Sequence, residues 1–143
     1  MRTIAILDDA DARAAVEAIR LEVLRRGKNA VIAVADAHGE TVALLRMDGA
    51  ALPSVGVAAN KAFTAARLRR PTGIVGRKVR HPETGFDIAF YGDPRYVGWA
   101  GGLPVAIDGA TVGAVAVSGL SSAEDEELAA IGVAAILAEA GRS

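Results

Sequence analysis

The sequence contains no cysteine in its 143 residues. Disulfide frameworks, thiolate zinc sites, cysteine nucleophiles and thioether attachment of haem are therefore excluded. No apolar run approaches the roughly 20 residues of a membrane-spanning helix. The apolar stretch near the N-terminus is too short for a signal peptide, because Asp8, Asp9 and Asp11 follow it at once. We therefore expect a cytoplasmic protein that does not associate with membranes.

An excess of charge of either sign is also missing. Lys and Arg number 16 and Asp and Glu number 17, which gives a net charge of −1. A nucleic-acid-binding protein usually has a basic excess, so we expect no nucleic-acid partner. Hydrophobic residues make up 52% of the chain and charged residues 23%, a balance typical of a globular protein. The length predicts one domain over residues 1–143.

The hydrophobic pattern predicts three helices and four strands. Apolar residues at helical spacing indicate helices over residues 10–26 and 52–68, and Ser121 to Glu124 has the pattern of a capping box that starts a third. Short apolar runs indicate strands at 30–35, 41–46, 103–107 and 111–118. Residues 71–102 are predicted to form a long irregular loop. The last strand is apolar on both faces, with Val112, Ala114 and Ala116 predicted on one of them, so helices should cover both sides in three α/β/α layers.

Several segments of the chain resemble the GlcG/HbpS-like family. The matching segments lie at residues 33–39, 46–50 (Arg-Met-Asp-Gly-Ala), 61–65, 101–105 and 112–119. Ser54 and Asp125 also match, whereas His38 stands where the family usually has glycine. The resemblance implies a profilin-like α+β fold, in which helices flank a five-stranded antiparallel sheet. It also implies a homo-oligomer, from a dimer up to an octamer.

The same resemblance implies more than one activity. Some branches of the family resemble haem- or corrinoid-associated proteins, and others resemble lyases that act on hydroxylaminobenzoate. Fold and family therefore do not determine the chemistry.

Aromatic residues make up only 4% of the chain, and five of the six fall within fourteen consecutive positions. They are Phe86, Phe90, Tyr91, Tyr96 and Trp99. Aromatic walls with a few polar groups are typical of small-molecule sites. The alternative is an aromatic cluster that anchors a long loop to the body of the domain.

Three polar residues could bind a carboxylate. Lys61 and Ser54 are seven residues apart on the predicted helix and share a face, while Arg46 ends the preceding strand. A planar guanidinium and an ammonium together suit a carboxylate ligand. The alternative is that Arg46 and Lys61 form surface salt bridges with Asp36 or Asp48.

Two further features could bind an anion. Gly101 and Gly102 precede a strand and could offer backbone N–H groups to it. A run of six basic residues between positions 67 and 80 could attract an anion or form a solvated helix end.

The two histidines are the side chains that normally titrate near neutral pH. His38 lies at a predicted hairpin tip, where it is either simply exposed or part of a ligand site. His81 is two residues before Glu83, and the two could act as acid–base catalysts or metal ligands. No spacing matches a dense metal motif, so we predict no protein-bound metal site.

Two functions remain open. The first is a site for a planar, anionic aromatic ligand in a cofactor-free lyase or isomerase, with His81, Glu83 and Lys61 as catalytic residues. The second is non-covalent binding of haem or another tetrapyrrole without catalysis, through His81, His38 or a hydroxyl side chain. In either case we expect Arg46, Lys61 and the aromatic loop to line one cavity, within one chain or across a subunit boundary.

Overall fold

The structure is a computed structural model that describes residues 1–141. Four α-helices accompany four strands: α1 (Asp9–Arg25), β1 (Val31–Asp36), β2 (Thr41–Arg46), α2 (Pro53–Leu68), α3 (Thr72–Val79), β3 (Gly102–Ile107), β4 (Ala110–Ser118) and α4 (Ser122–Ala140). A short 3-10 turn covers Ile88–Tyr91. The strands form one antiparallel sheet in the order β2-β1-β4-β3. No helix in residues 1–141 is long and apolar enough to cross a membrane.

Alternate residues of the sheet supply two separate cores. Helices α1 and α4 pack on one face, where Ile32 and Val115 meet Ile19 and Leu128. Helix α2 packs on the other face, which is built mainly from alanines of β1 and β4. Side chains of successive strand residues point to opposite faces, so each strand serves both cores. The predicted α+β class and the three α/β/α layers are confirmed.

The sheet has four strands in residues 1–141, not the five that the family resemblance implied. The extended N-terminal segment reaches the sheet through one backbone hydrogen bond, which Leu7 N–H donates to the Val112 carbonyl at 3.0 Å. A single bond leaves this segment outside the sheet, because a strand needs a ladder of such bonds.

A β-bulge changes the predicted faces of β4. Val105 pairs with Gly113 and Ala106 pairs with Thr111, so Val112 is an extra residue in β4. An extra residue reverses the alternation of side chains. Val112 therefore packs in the core under α1 and α4, and the prediction that it shares a face with Ala114 and Ala116 is wrong.

The ends of the helices and hairpins follow local sequence rules. Asp8 caps α1 and forms a reciprocal capping box with Asp11. Asp108 and Gly109 both have positive φ, at 51° and 78°, as a type I′ hairpin turn requires. Ser121 caps α4 by accepting the Glu124 N–H at 3.2 Å. The other half of the predicted box is missing, because the Glu124 carboxylate contacts basic side chains near the end of α1.

The segment 71–102 contains more regular structure than predicted. It holds α3 and the 3-10 turn, and α3 is only eight residues long, too short to give a clear helical pattern. The Thr64 hydroxyl fixes this segment against α2 by accepting the Val97 N–H at 2.9 Å and donating to the Arg95 carbonyl at 3.3 Å. Gly98 lies directly against Gly76 of α3.

We predict opposite effects for two glycine-to-alanine substitutions. A Cβ on Gly76 would lie 2.0 Å from the Gly98 carbonyl oxygen, whereas a Cβ on Gly56 of α2 would meet nothing within 4 Å. Gly76→Ala should lower the free energy of unfolding by about 1–3 kcal/mol, as overpacking does. Gly56→Ala should raise it by about 0.5–1 kcal/mol, because alanine favours a helix. Urea unfolding measures both, and equal effects would contradict the close contact between Gly76 of α3 and Gly98 of the loop.

Candidate functional site

A buried ion pair lies at the junction of α2, β4 and α4. Lys61 of α2 is 1% exposed and Asp125, in the first turn of α4, is 3% exposed. The Lys61 Nζ lies 3.1 Å from Asp125 Oδ2 and donates a second hydrogen bond to the Val117 carbonyl at 3.0 Å. The Trp99 ring covers the ammonium, with its centroid 5.4 Å from Nζ. Asp125 Oδ1 accepts the Leu120 N–H at 3.0 Å.

Burial changes the pKa of both members of this pair. Loss of solvent lowers the pKa of Lys61, and the Asp125 carboxylate opposes that change. Loss of solvent also raises the pKa of Asp125, and the Lys61 ammonium opposes it. Each charge therefore depends on the other to remain ionised in a buried place.

The two glycines before β3 make room for this pair. A Cβ on Gly101 would lie 2.6 Å from Lys61 Nζ, and one on Gly102 would lie 2.6 Å from the Lys61 carbonyl oxygen. The Gly102 N–H donates to Thr72 Oγ1 at 2.9 Å. The Gly102 N–H is therefore not free for an anion, contrary to the prediction for that residue, and both glycines have a packing role.

A cavity of about 230 Å³ lies beside the ion pair. We call it the Trp99 cavity; it is lined by Pro53, Ser54, Val57, Trp99, Ser118, Gly119, Leu120 and Asp125. The indole N–H of Trp99 donates to Ser122 Oγ at 2.8 Å and so fixes the ring at the rim. The structure thus brings together Ser54, Lys61, Trp99, Gly101 and Gly102 of the predicted site residues.

The remaining aromatic residues of the loop lie elsewhere. Tyr96 packs edge-on against Phe63 of α2 with ring centroids 4.9 Å apart, Tyr91 lies 4.8 Å from Tyr96, and Phe86 lies 5.6 Å from Tyr91. The guanidinium of Arg95 stacks on Phe63 at 4.0 Å. These rings form the anchoring cluster that was the alternative prediction. Phe90 is exposed.

Arg46 is near the Trp99 cavity but does not line it. Arg46 pairs with Val31, and Val31 pairs with Ser118, so all three lie at the same end of the sheet. The Arg46 side chain is exposed and lines a different groove, near the end of α1. Lys61 bonds to Asp125 and not to Asp36 or Asp48, so that predicted pairing is wrong for Lys61. No contact joins Arg46 to Lys61 within residues 1–141.

His81 and Glu83 lie in an exposed turn after α3. The His81 Nδ1 accepts the backbone N–H groups of Glu83 and Thr84, both at 3.2 Å. A neutral imidazole that accepts at Nδ1 carries its proton on Nε2. Neither residue lines the Trp99 cavity. The described part of the chain holds no group of three or more histidine, aspartate or glutamate residues that could bind a metal ion.

His38 lies at the opposite end of the sheet, beside a larger cavity of about 420 Å³. We call it the His38 cavity; it is lined by Arg2, Thr3, Ile4, Ala5, Ala37, His38, Arg69, Gly109, Ala110 and Thr111. The backbone of His38 is fixed by Asp36 and Arg67. Its exposed ring makes no hydrogen bond to any other residue in 1–141. Arg69 has a φ of 58°, which is unusual for a residue other than glycine.

Comparisons with known proteins agree with this architecture. The family model described as haem degrading protein HbpS-like matches residues 7–134. Protein GlcG of Escherichia coli strain K12 is 38% identical over 118 residues, which cover 82% of this chain and 85% of GlcG. The crystal structure of Klebsiella pneumoniae protein ORFY gives a TM-score of 0.91 at 26% identity, covering 96% of this chain and 95% of that one. A crystal structure of a PduOC–haem complex gives a TM-score of 0.84 at 25% identity, with coverage of 92% and 95%.

The fold defines a three-layer α+β domain with an antiparallel sheet between its helices. The match over residues 7–134 and the identity to GlcG show that the chain belongs to the HbpS-like family. The family resemblance that the sequence motifs indicated is therefore confirmed.

The buried ion pair gives a prediction that depends on pH. Asp125→Asn leaves the Lys61 ammonium buried without its counter-charge and should lower the free energy of unfolding by about 3–5 kcal/mol near neutral pH. The folded-state pKa of Lys61 then falls further below its ordinary value of 10.5. At a pH between the lowered pKa of Lys61 in the folded variant and its ordinary pKa in the unfolded chain, the unfolded chain binds more protons than the folded one. The free energy of unfolding of the variant therefore increases as pH rises through this range.

The difference in free energy of unfolding between Asp125→Asn and the natural sequence should therefore decrease between neutral pH and about pH 10. Urea unfolding at several pH values measures it. The double variant Lys61→Met with Asp125→Leu is the control, because it removes both charges and should be more stable than Asp125→Asn. A deficit that does not change with pH would contradict a buried, charged Lys61.

Proposed function

We propose that this protein binds a planar, anionic tetrapyrrole of the haem class non-covalently at the His38 cavity. The observation that carries the proposal is the combination of a histidine with a free ring and two arginines around one cavity. A cytoplasmic location and assembly into a homo-oligomer remain predictions.

The His38 cavity fits three features of haem: its iron, its two propionate carboxylates and its size. An imidazole can ligate the iron, and the absence of cysteine leaves histidine as the usual type of protein ligand. The guanidinium groups of Arg2 and Arg69 suit the two propionate carboxylates, because their planar forks match a carboxylate. The volume of about 420 Å³ is within the usual range of ligand cavities, about 300–1,000 Å³. Iron, when bound, supplies the redox chemistry.

His38 is better suited than His81 to ligate iron. The turn holds His81 with Nδ1 as an acceptor of two N–H groups, so its Nε2 carries the proton and has no lone pair to offer. Ligation through His81 would require a change of tautomer and the loss of both hydrogen bonds. No such bond restrains the ring of His38 in residues 1–141.

Related proteins support a haem site over the lyase or isomerase function. PduOC has been solved as a complex with haem, and the matching family model is described as haem degrading and HbpS-like. The lyase or isomerase function needs His81, Glu83 and Lys61 to act on one substrate. Lys61 is buried and donates to Asp125 and the Val117 carbonyl, while His81 and Glu83 are exposed in their own turn. The binding function therefore has the better support.

Titration with hemin tests the proposal. We expect the natural sequence and His81→Ala to shift the Soret band alike, because His81 does not ligate the iron. His38→Ala should lose the shift or weaken the affinity at least tenfold, since the imidazole ligand is gone. A Soret shift that His38→Ala leaves unchanged, or no saturable binding to the natural sequence, would overturn the proposal.

Arg69 should affect stability and haem affinity in opposite directions. Arg69→Gly removes the cost of a left-handed backbone conformation, roughly 1 kcal/mol, so the free energy of unfolding should stay the same or rise. The affinity for hemin should fall, because one carboxylate partner is lost. Arg70→Ala is the matched control, since it removes the same charge from a residue that does not line the cavity. Equal hemin affinities of the two variants would contradict a role for Arg69.

A further inference from the structure

The Trp99 cavity contains two serine hydroxyls without protein partners. Ser54 is 8% exposed and Ser118 is 5% exposed, and neither side chain makes a hydrogen bond within residues 1–141. No polar side-chain atom of the described chain is both sealed from solvent and unpaired. Both hydroxyls therefore keep some access to solvent, and both serines line the cavity. A polar side chain that is more than nine-tenths buried and still unpaired needs an explanation, and a ligand is one.

The ion pair makes the floor of the cavity electrically neutral. Lys61 donates to Asp125 and to the Val117 carbonyl, and its ammonium lies 5.4 Å from the centroid of the Trp99 ring. One oxygen of Asp125 faces Lys61 and the other accepts the Leu120 N–H. No free cation is available within the lining of this cavity, so an anionic group would meet the Asp125 carboxylate without compensation. Hydroxyl or amine donors, by contrast, can bond to Asp125 and to the serines.

The shape and size of the Trp99 cavity further restrict the kinds of ligand that it can hold. The indole of Trp99 offers a flat face at the rim and is held by Ser122. A cavity of about 150 Å³ is enough to hold benzene. The Trp99 cavity, at about 230 Å³, has room for one ring with its substituents and is too small for a macrocycle.

We propose that the Trp99 cavity is a second ligand site, which takes an uncharged single-ring aromatic molecule with a hydroxyl or amino substituent. The ring packs against Trp99, and the substituent bonds to Ser54, Ser118 and the free lone pairs of Asp125. This site is independent of haem binding, because it lies at the other end of the sheet from His38.

Trp99 is the single tryptophan of the chain, so its fluorescence reports on this site directly. Phenol is the probe, with excitation at the red edge of the tryptophan band, where phenol does not absorb. We expect a saturable change in emission. Benzoate, which carries a charge, should bind at least tenfold more weakly than phenol. Thr41→Ala, an exposed change on the edge strand, should bind phenol like the natural sequence.

Three variants keep the test decisive. Ser54→Ala with Ser118→Ala should weaken phenol binding by about fivefold or more, because a hydrogen bond contributes about 1 kcal/mol. Val57→Phe fills the cavity from α2 and should abolish saturable phenol binding. This variant tests the site independently, should the serine double variant fail to fold. His38→Ala should leave phenol binding unchanged. Equal affinities for phenol and benzoate, or a linear emission change that is the same in every variant, would overturn the proposal.

Discussion

The contact between Lys61 and Asp125 constrains the rest of the domain, because it joins elements that are far apart in sequence. Lys61 belongs to α2 on one face of the sheet, and Asp125 opens α4 on the other. Both charges are removed from water, and a buried pair stabilises a fold only where further hydrogen bonds support it. Here the Val117 carbonyl and the Trp99 ring contact the Lys61 ammonium, and the Leu120 N–H donates to Asp125. The end of β4, the first turn of α4 and the loop before β3 must therefore take fixed positions around α2.

Small residues allow the elements around this contact to pack closely. Alanines of β1 and β4 face alanines of α2, so the helix can approach the sheet closely. Gly101 and Gly102 have no side chains to displace Lys61, and Gly76 and Gly98 bring α3 against the loop. The large aliphatic side chains lie on the opposite face, under α1 and α4. The face under α1 and α4 thus supplies most of the apolar burial. The face under α2 positions the polar groups at the ends of the sheet.

Sequence patterns predicted the parts of this structure that depend on local rules. Helices α1, α2 and α4, all four strands and the Asp108-Gly109 turn agree with the hydrophobic periods and turn residues. The family motifs also singled out Ser54, Lys61 and Gly101, which meet in one place. The partner of Lys61 could not be predicted from spacing, since 64 residues separate it from Asp125. Burial decides whether a lysine is a ligand or a structural cation, and burial depends on the whole fold. The same is true of His81, whose ring nitrogen is used by its own turn.

The two cavities differ in their chemistry because they lie at opposite ends of one sheet. Strand β1 runs from Val31, beside Ser118, to Asp36, beside Gly113, and so spans roughly 17 Å. At the Ser118 end the charges cancel within the buried pair, which leaves hydroxyls and an aromatic face. At the other end Arg2, His38 and Arg69 surround a wider opening, and none of the residues that line it is acidic. The His38 cavity would select its ligand by charge and metal ligation, whereas the Trp99 cavity would select its ligand by shape and hydrogen bonding. The two ligands would therefore not compete, although one antiparallel sheet supports both sites.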